Sequence, residues 1–319
     1  MLRYIFRRVL QAALVVFIVS VVVFLMLHMV PGSVVTVLAG TDPSPEMVEA
    51  LTKRFGLDQP LPIQYGRWFL GAIQGDLGTS PISGRPVTEL ILSRLGFTIM
   101  LAGAAIVIAS VIGIAVGTVA AIRQNTWVDT TITAVNSLVL SVPNFWFGIL
   151  FILFFSVSLG WLPSGGFRGF DRAGFGALAY LVMPAIALSM DSAAMIARLV
   201  RASLLDELSR DYVTVARAKG VRARRLLLRH VARNAAMPVL TVLGLRFGQM
   251  LGGAVLIESV FNWPGLGRLT VEAIETRDVV VVQGALLYFV VIYMAINLLV
   301  DISYGWFNPR VRAAVGGRV

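Results

Sequence analysis

The chain has no cysteine, and its 319 residues include only two histidines and two lysines. The missing thiols exclude disulfides, thiolate metal sites and a catalytic cysteine. His28 and His230 are too few for a histidine-rich metal centre, and no H-E-x-x-H string is present. Neither Lys53 nor Lys219 follows a G-x-x-x-x-G run, so the chain carries no P-loop for nucleotide hydrolysis. A G-x-S-x-G nucleophile elbow is absent as well. Charge of any sign is scarce: 14% of residues are charged, against about a quarter in ordinary globular proteins.

What is abundant is apolar surface. Hydrophobic residues make up 57% of the chain and the mean hydropathy is +0.83, so too little polar surface exists to cover a water-facing body of this size. The composition defines an all-α integral membrane protein. A helix crossing a hydrocarbon layer of ~30 Å needs about 20 apolar residues, and six windows meet that length: 9–30, 97–122, 132–161, 177–197, 237–261 and 279–300. Asp191 and Arg246 interrupt the fourth and fifth. The third is long enough to tilt or bend, and Pro143 offers the place. The first exceeds a signal-peptide core and lacks a small-residue cleavage pattern, so it reads as a permanent helix.

Six spans put both termini on one side, and the basic residues choose which. With the termini inside, seventeen bases fall in internal segments and nine in external ones, Arg246 being the remaining one. Cytoplasmic termini follow. The chain then divides into 1–30, the cytoplasmic N-terminus and first span; 31–96, an external cap; 97–307, a five-helix core including a cytoplasmic segment at 198–236; and 308–319, a cytoplasmic tail. Within the cap, Ser44-Pro45-Glu46 is a helix start, Met47, Leu51 and Phe55 share one face, and Gly56 is placed to end the helix.

The internal segment 198–233 holds ten bases against three acids, Asp206, Glu207 and Asp211. Its string Asp211-Tyr-Val-Thr-Val-Ala-Arg-Ala-Lys-Gly220 favours a short helix stopped by glycine. A second helix is expected after it, with Arg222, Arg225, Arg229 and Arg233 along one stripe. That stripe would serve topology and lipid contact as readily as a protein partner.

This segment resembles the cytoplasmic signature of binding-protein-dependent ABC importer permeases, with Ala216 four residues before Gly220. The DYVxxARAKG form followed by His230, Asn234 and Pro238 is similar to the dipeptide, oligopeptide and nickel branch. The stretches Phe55-Gly-Leu-Asp-Gln-Pro60, Gly75-Asp-Leu-Gly-Thr-Ser80, Glu258-Ser-Val-Phe-Asn-Trp-Pro-Gly-Leu-Gly-Arg268 and Asn308-Pro-Arg310 agree with it. Three positions depart from the pattern: Thr214, Ser33 and Asn308 stand where the family has acids. The resemblance implies a type I permease fold in the bacterial inner membrane, with residues about 209–220 as a coupling helix seated on an ATPase. It assigns Asp211, Tyr212, Ala216, Arg217, Ala218, Lys219, Gly220 and His230 to coupling. It also implies a second permease, two ABC ATPase subunits that use ATP and magnesium, and an external substrate-binding protein. This chain itself would bind no cofactor and catalyse nothing alone. Di- and oligopeptides are the leading cargo, with nickel and glutathione as alternatives.

Charges near mid-bilayer cost a few kcal/mol and generally face a partner or an aqueous cavity. At 1.5 Å per residue, Asp191 lies about 10 Å and Arg246 about 13 Å from the internal edge, so a bridge between spans four and five is expected. That pair either locks the bundle or lines the passage. Glu258, where span five meets the external surface, either meets a substrate or receptor or caps local backbone. Asp301 is expected to hold Arg310 or a neighbouring terminus. Pro143-Asn144 and Pro184 free backbone carbonyls inside the membrane, as packing kinks or at a pathway. Two other classes remain open, a self-powered secondary carrier and a membrane scaffold, and dependence on an ATPase partner separates them from the importer reading.

Overall fold

A computed structural model describes residues 2–29, 44–54, 56, 58–169, 174–226 and 231–307. Among these residues the chain is helical and no β-strand forms beyond one isolated bridge between Thr79 and Pro86. Two compact units emerge: residues 1–98 with 264–319, and residues 99–263. The first joins the two ends of the chain, a grouping that the linear division into span, cap, core and tail did not anticipate.

In the terminal unit, α1 (Leu2–Met29) packs on α12 (Val279–Phe307), and Arg8 bridges Asp301 at 3.0 Å. Asp301 therefore holds the N-terminal helix; Arg310 lies outside the described residues. The cap begins with α2 (Pro45–Arg54) as its sequence requires, the Ser44 hydroxyl accepting the Met47 N–H at 3.3 Å and Gly56 taking φ +65°. Beyond it lies α3 (Leu61–Ile73), whose Tyr65 and Phe69 meet Phe17 of α1 edge-on. The Gly75–Ser80 stretch folds as a tight loop. Asp76 accepts the Gly78 N–H at 2.8 Å, Ser80 donates to buried Asp278, and Leu77 enters a core with Val87, Ile91 and Val281. Gly284 is the seat for that core, because a Cβ there would lie 2.8 Å from Val87. α11 (Leu266–Glu275) closes the unit against α12.

α4 (Val87–Ile122) begins ten residues before its apolar window, carrying polar Glu89 and Arg94 in its first turns. The central unit is organised on α7 (Ala177–Leu208), which contacts α5 (Trp127–Ser141), α6 (Asn144–Phe151, continuing as a π-helix over Ile152–Ser158) and α10 (Ala232–Val260). Small residues allow close approach. A Cβ on Gly113 would sit 2.8 Å from the Ala193 carbonyl, and one on Gly117 closer still to that of Ala197, so α4 meets α7 nearly backbone to backbone.

The third window is broken between Ser141 and Asn144, and the two helical arms meet at 99°. Pro143 lacks an amide hydrogen, and it forces Val142 out of the helical region, to φ −109° and ψ 130°. Pro184 and Pro238, by contrast, lie within continuous helices. Four described helices are long and apolar enough to cross a membrane, and the bent pair supplies a fifth candidate. α10 adds 29 residues that contain Arg246. α7 runs eleven residues past its expected end at 197, so Arg198 and Arg201 are helical rather than part of a loop.

Candidate coupling site and intramembrane charge cluster

Past the end of α7, Ser209 and Arg210 turn the chain into α8 (Asp211–Ala218). Asp211 in its first turn favours the positive helix end. The helix ends as its glycine dictates. Gly220 adopts φ +76°, and the Val221 N–H reaches back to the Ala216 carbonyl at 3.1 Å, the long bond of a Schellman ending. Val213 is fully buried and anchors one face. On the other face Asp211, Val215, Ala218 and Lys219 are exposed at helical spacing. Val215 and Ala218 thus form a small exposed apolar centre with Asp211 and Lys219 at its two ends.

Polar contacts fix the entry angle of α8. Glu207, at the end of α7, accepts the Tyr212 hydroxyl at 2.8 Å, pairs with Arg210 at 3.0 Å and receives the Asn234 amide of α10 at 3.4 Å. Burial raises the Tyr212 hydroxyl above its ordinary range, and the neighbouring Glu207 adds to that, so it stays protonated and donates. Three elements thus converge on one carboxylate. The Arg217 backbone is helical within α8; His230 and Arg229 lie outside the described residues. A second helix does follow, α9 (Ala223–Leu226), and Arg233 lies in α10; Arg229, the third arginine of the expected stripe, is outside the described residues.

Within the apolar region, Asp191 of α7 and Arg246 of α10 lie 3.6 Å apart. Asp191 also accepts the Asn144 amide and the Ser192 hydroxyl, each at 3.2 Å. Asn144 is the first residue of α6, so the cluster sits at the bend of the broken span and joins three helices. Both charged side chains keep partial exposure, 33% for Asp191 and 20% for Arg246. Glu258 is placed differently. It is fully buried, and its backbone carbonyl accepts the Trp263 N–H at 2.8 Å. Phe261 and Trp263 are buried with it, and the Phe261 carbonyl takes the Gly166 N–H at 2.7 Å. The Glu258-to-Trp263 motif thus closes α10 in a packed turn, and Glu258 faces protein rather than an open passage.

A further pair had no counterpart in the sequence reading. Arg201 grips Asp129 through Nε and Nη2, at 2.6 and 2.7 Å, and the Asn125 N–H completes the carboxylate at 3.1 Å. The signal that points to it is sparse: Asp129 is the sole acid between Glu89 and Asp171.

The long apolar helices make this a multi-pass membrane protein. The chain belongs to the family described as binding-protein-dependent transport system inner membrane component, which matches residues 113–313; its N-terminal companion matches residues 1–102. Among its relatives, the glutathione transport system permease protein GsiC of Escherichia coli K12 is 42% identical over 312 residues, covering 98% of this chain and 99% of the relative. The same-named protein of Shigella dysenteriae serotype 1 is also 42% identical over that length, and that of Shigella flexneri serotype 5b is 41% identical.

Proposed function

We propose that this chain is one permease half of an ATP-driven importer in the bacterial inner membrane, crossing it six times with both termini in the cytoplasm. In this reading α1, α4, the bent α5–α6 pair, α7, α10 and α12 are the spans, and the 31–96 segment caps the outer mouth. A second permease completes the path, a substrate-binding protein delivers cargo from outside, and two ABC ATPases consume magnesium-ATP at the cytoplasmic face. The observation that carries the reading is α8: a short helix with Val215 and Ala218 exposed, ended by Gly220 and oriented by Glu207. Such a helix is short enough to seat in a groove and rigid enough to transmit a displacement.

The cargo belongs to the class of short peptides. Glutathione, itself a tripeptide, is the member favoured by relatives alike over nearly their whole length. Nickel is the less supported alternative, since the relatives alike over nearly their whole length are named for glutathione transport. The Asp191–Arg246–Asn144 cluster lies where it would either hold the bundle or line the inner passage. The test is ATP hydrolysis by the purified complex with its cognate binding protein. Stimulation by glutathione or by di- and oligopeptides supports the cargo class, and stimulation by nickel without any peptide overturns it.

A further inference from the structure

Arg201 stands seven residues before the end of α7 and ten before the start of α8. Its partner Asp129 lies in the first turn of α5, the arm that leads to the 99° bend. Asp129 is 7% exposed and accepts three hydrogen bonds, two from the guanidinium fork and one from the Asn125 backbone. A bidentate pair fixes direction as well as distance, which a lysine cannot do. Asn125 holds φ +61°, so the loop behind the carboxylate is shaped to aim its amide there.

The grip extends along α5. Arg198, one turn before Arg201, reaches the Ser137 hydroxyl at 3.4 Å. Two arginines on one turn of α7 thus hold points eight residues apart on α5, about 12 Å at the helical rise. Beyond the bend, Asn144 is held to Asp191 of the same helix α7 at 3.2 Å. Both arms of the broken span are therefore tied by polar contacts to the one helix that continues into α8, and the Asp129–Arg201 contact is the shortest of them. A two-point contact between a guanidinium and a carboxylate constrains angle as well as distance, so the α7 end and the start of α5 cannot turn independently while it holds.

We infer that Asp129 and Arg201 are positioning residues that carry movement of α8 into the bent span, so that ATP hydrolysis and opening of the passage stay in step. The inference rests on the permease reading above. It is tested in proteoliposomes with the full complex and its binding protein, supplied with a mixture of isotope-labelled glutathione, dialanine and trialanine, measuring label imported per ATP hydrolysed. Asp129→Asn is expected to assemble and hydrolyse ATP while import per ATP falls on the order of tenfold. Arg201→Lys falls less, and the exchange of both residues (D129R with R201D) recovers part of the loss. Arg201→Lys, which keeps the charge, takes the place of Asp129→Asn if the latter does not assemble. An unchanged import-to-ATP ratio in the assembled variants overturns the inference. So does a parallel loss of assembly, hydrolysis and import that the exchange leaves unrepaired, because that is the mark of a purely structural pair. A wild-type complex that imports label without consuming ATP overturns the permease reading instead.

Discussion

At the residue scale, the intramembrane pair and the glycine stop give the sharpest expectations. Asp191→Asn leaves Arg246 without its carboxylate; because both side chains keep partial exposure, the loss of stability is expected to be about 1 kcal/mol. Combining Asp191→Asn with Arg246→Gln is expected to recover most of that, because no charge then remains to be compensated. Thermal unfolding of the detergent-solubilised chain across this four-member cycle measures the coupling. Equal stability of the single and double variants would show that the 3.6 Å contact does nothing. Gly220→Val is strained whatever the space around it, since φ +76° costs a residue with a Cβ about 1–2 kcal/mol. It should lower transport by about tenfold or more with the complex still assembled, as uptake assays on isolated complex would read. Gly220 and the Asp191–Arg246 pair were legible in the sequence because each carries a local signal: a glycine where a helix must stop, a charge inside an apolar window. The Asp129–Arg201 pair carries no such signal. Its members lie 72 residues apart, outside any apolar window, and only folding brings them together.

At the element scale, the contact of α4 with α7 depends on glycine. Gly117→Ala drives a methyl into the Ala197 carbonyl oxygen, a backbone atom that cannot swing aside, so the helices must separate at a cost of about 1–3 kcal/mol. Gly103→Ala on the same helix meets nothing within 4 Å and is expected to be neutral or to stabilise by about 0.5–1 kcal/mol through helix propensity. Opposite shifts in unfolding temperature check both. The apolar windows found the long helices because the bilayer imposes their length, and Pro143 marked the bend. Helices α3 and α11 were not visible in the same way. α3 is interrupted by Gly66 and Gly71 and is too short to span, and α11 follows Trp263-Pro-Gly, which reads as a turn and nothing more. Their formation depends on tertiary neighbours, the aromatic residues of α1 for α3 and the apolar face of α12 for α11. The second cytoplasmic helix was legible as a start after Gly220, and α9 begins there at Ala223.

At the scale of the whole molecule, the exposed apolar surface of α1, including Phe6, Leu10, Leu14 and Ile18, belongs to lipid or to a companion span rather than to water. In the proposed reading the chain works within an assembly whose ATPases supply the movement through α8. Reconstituting the chain with its permease partner, ATPases and binding protein, and following uptake of labelled glutathione and short peptides, tests that dependence most directly. Uptake that requires hydrolysable ATP, and that Gly220→Val abolishes or cuts steeply while the complex stays assembled, is the predicted result. Uptake by this chain in vesicles holding no ATPase would contradict it.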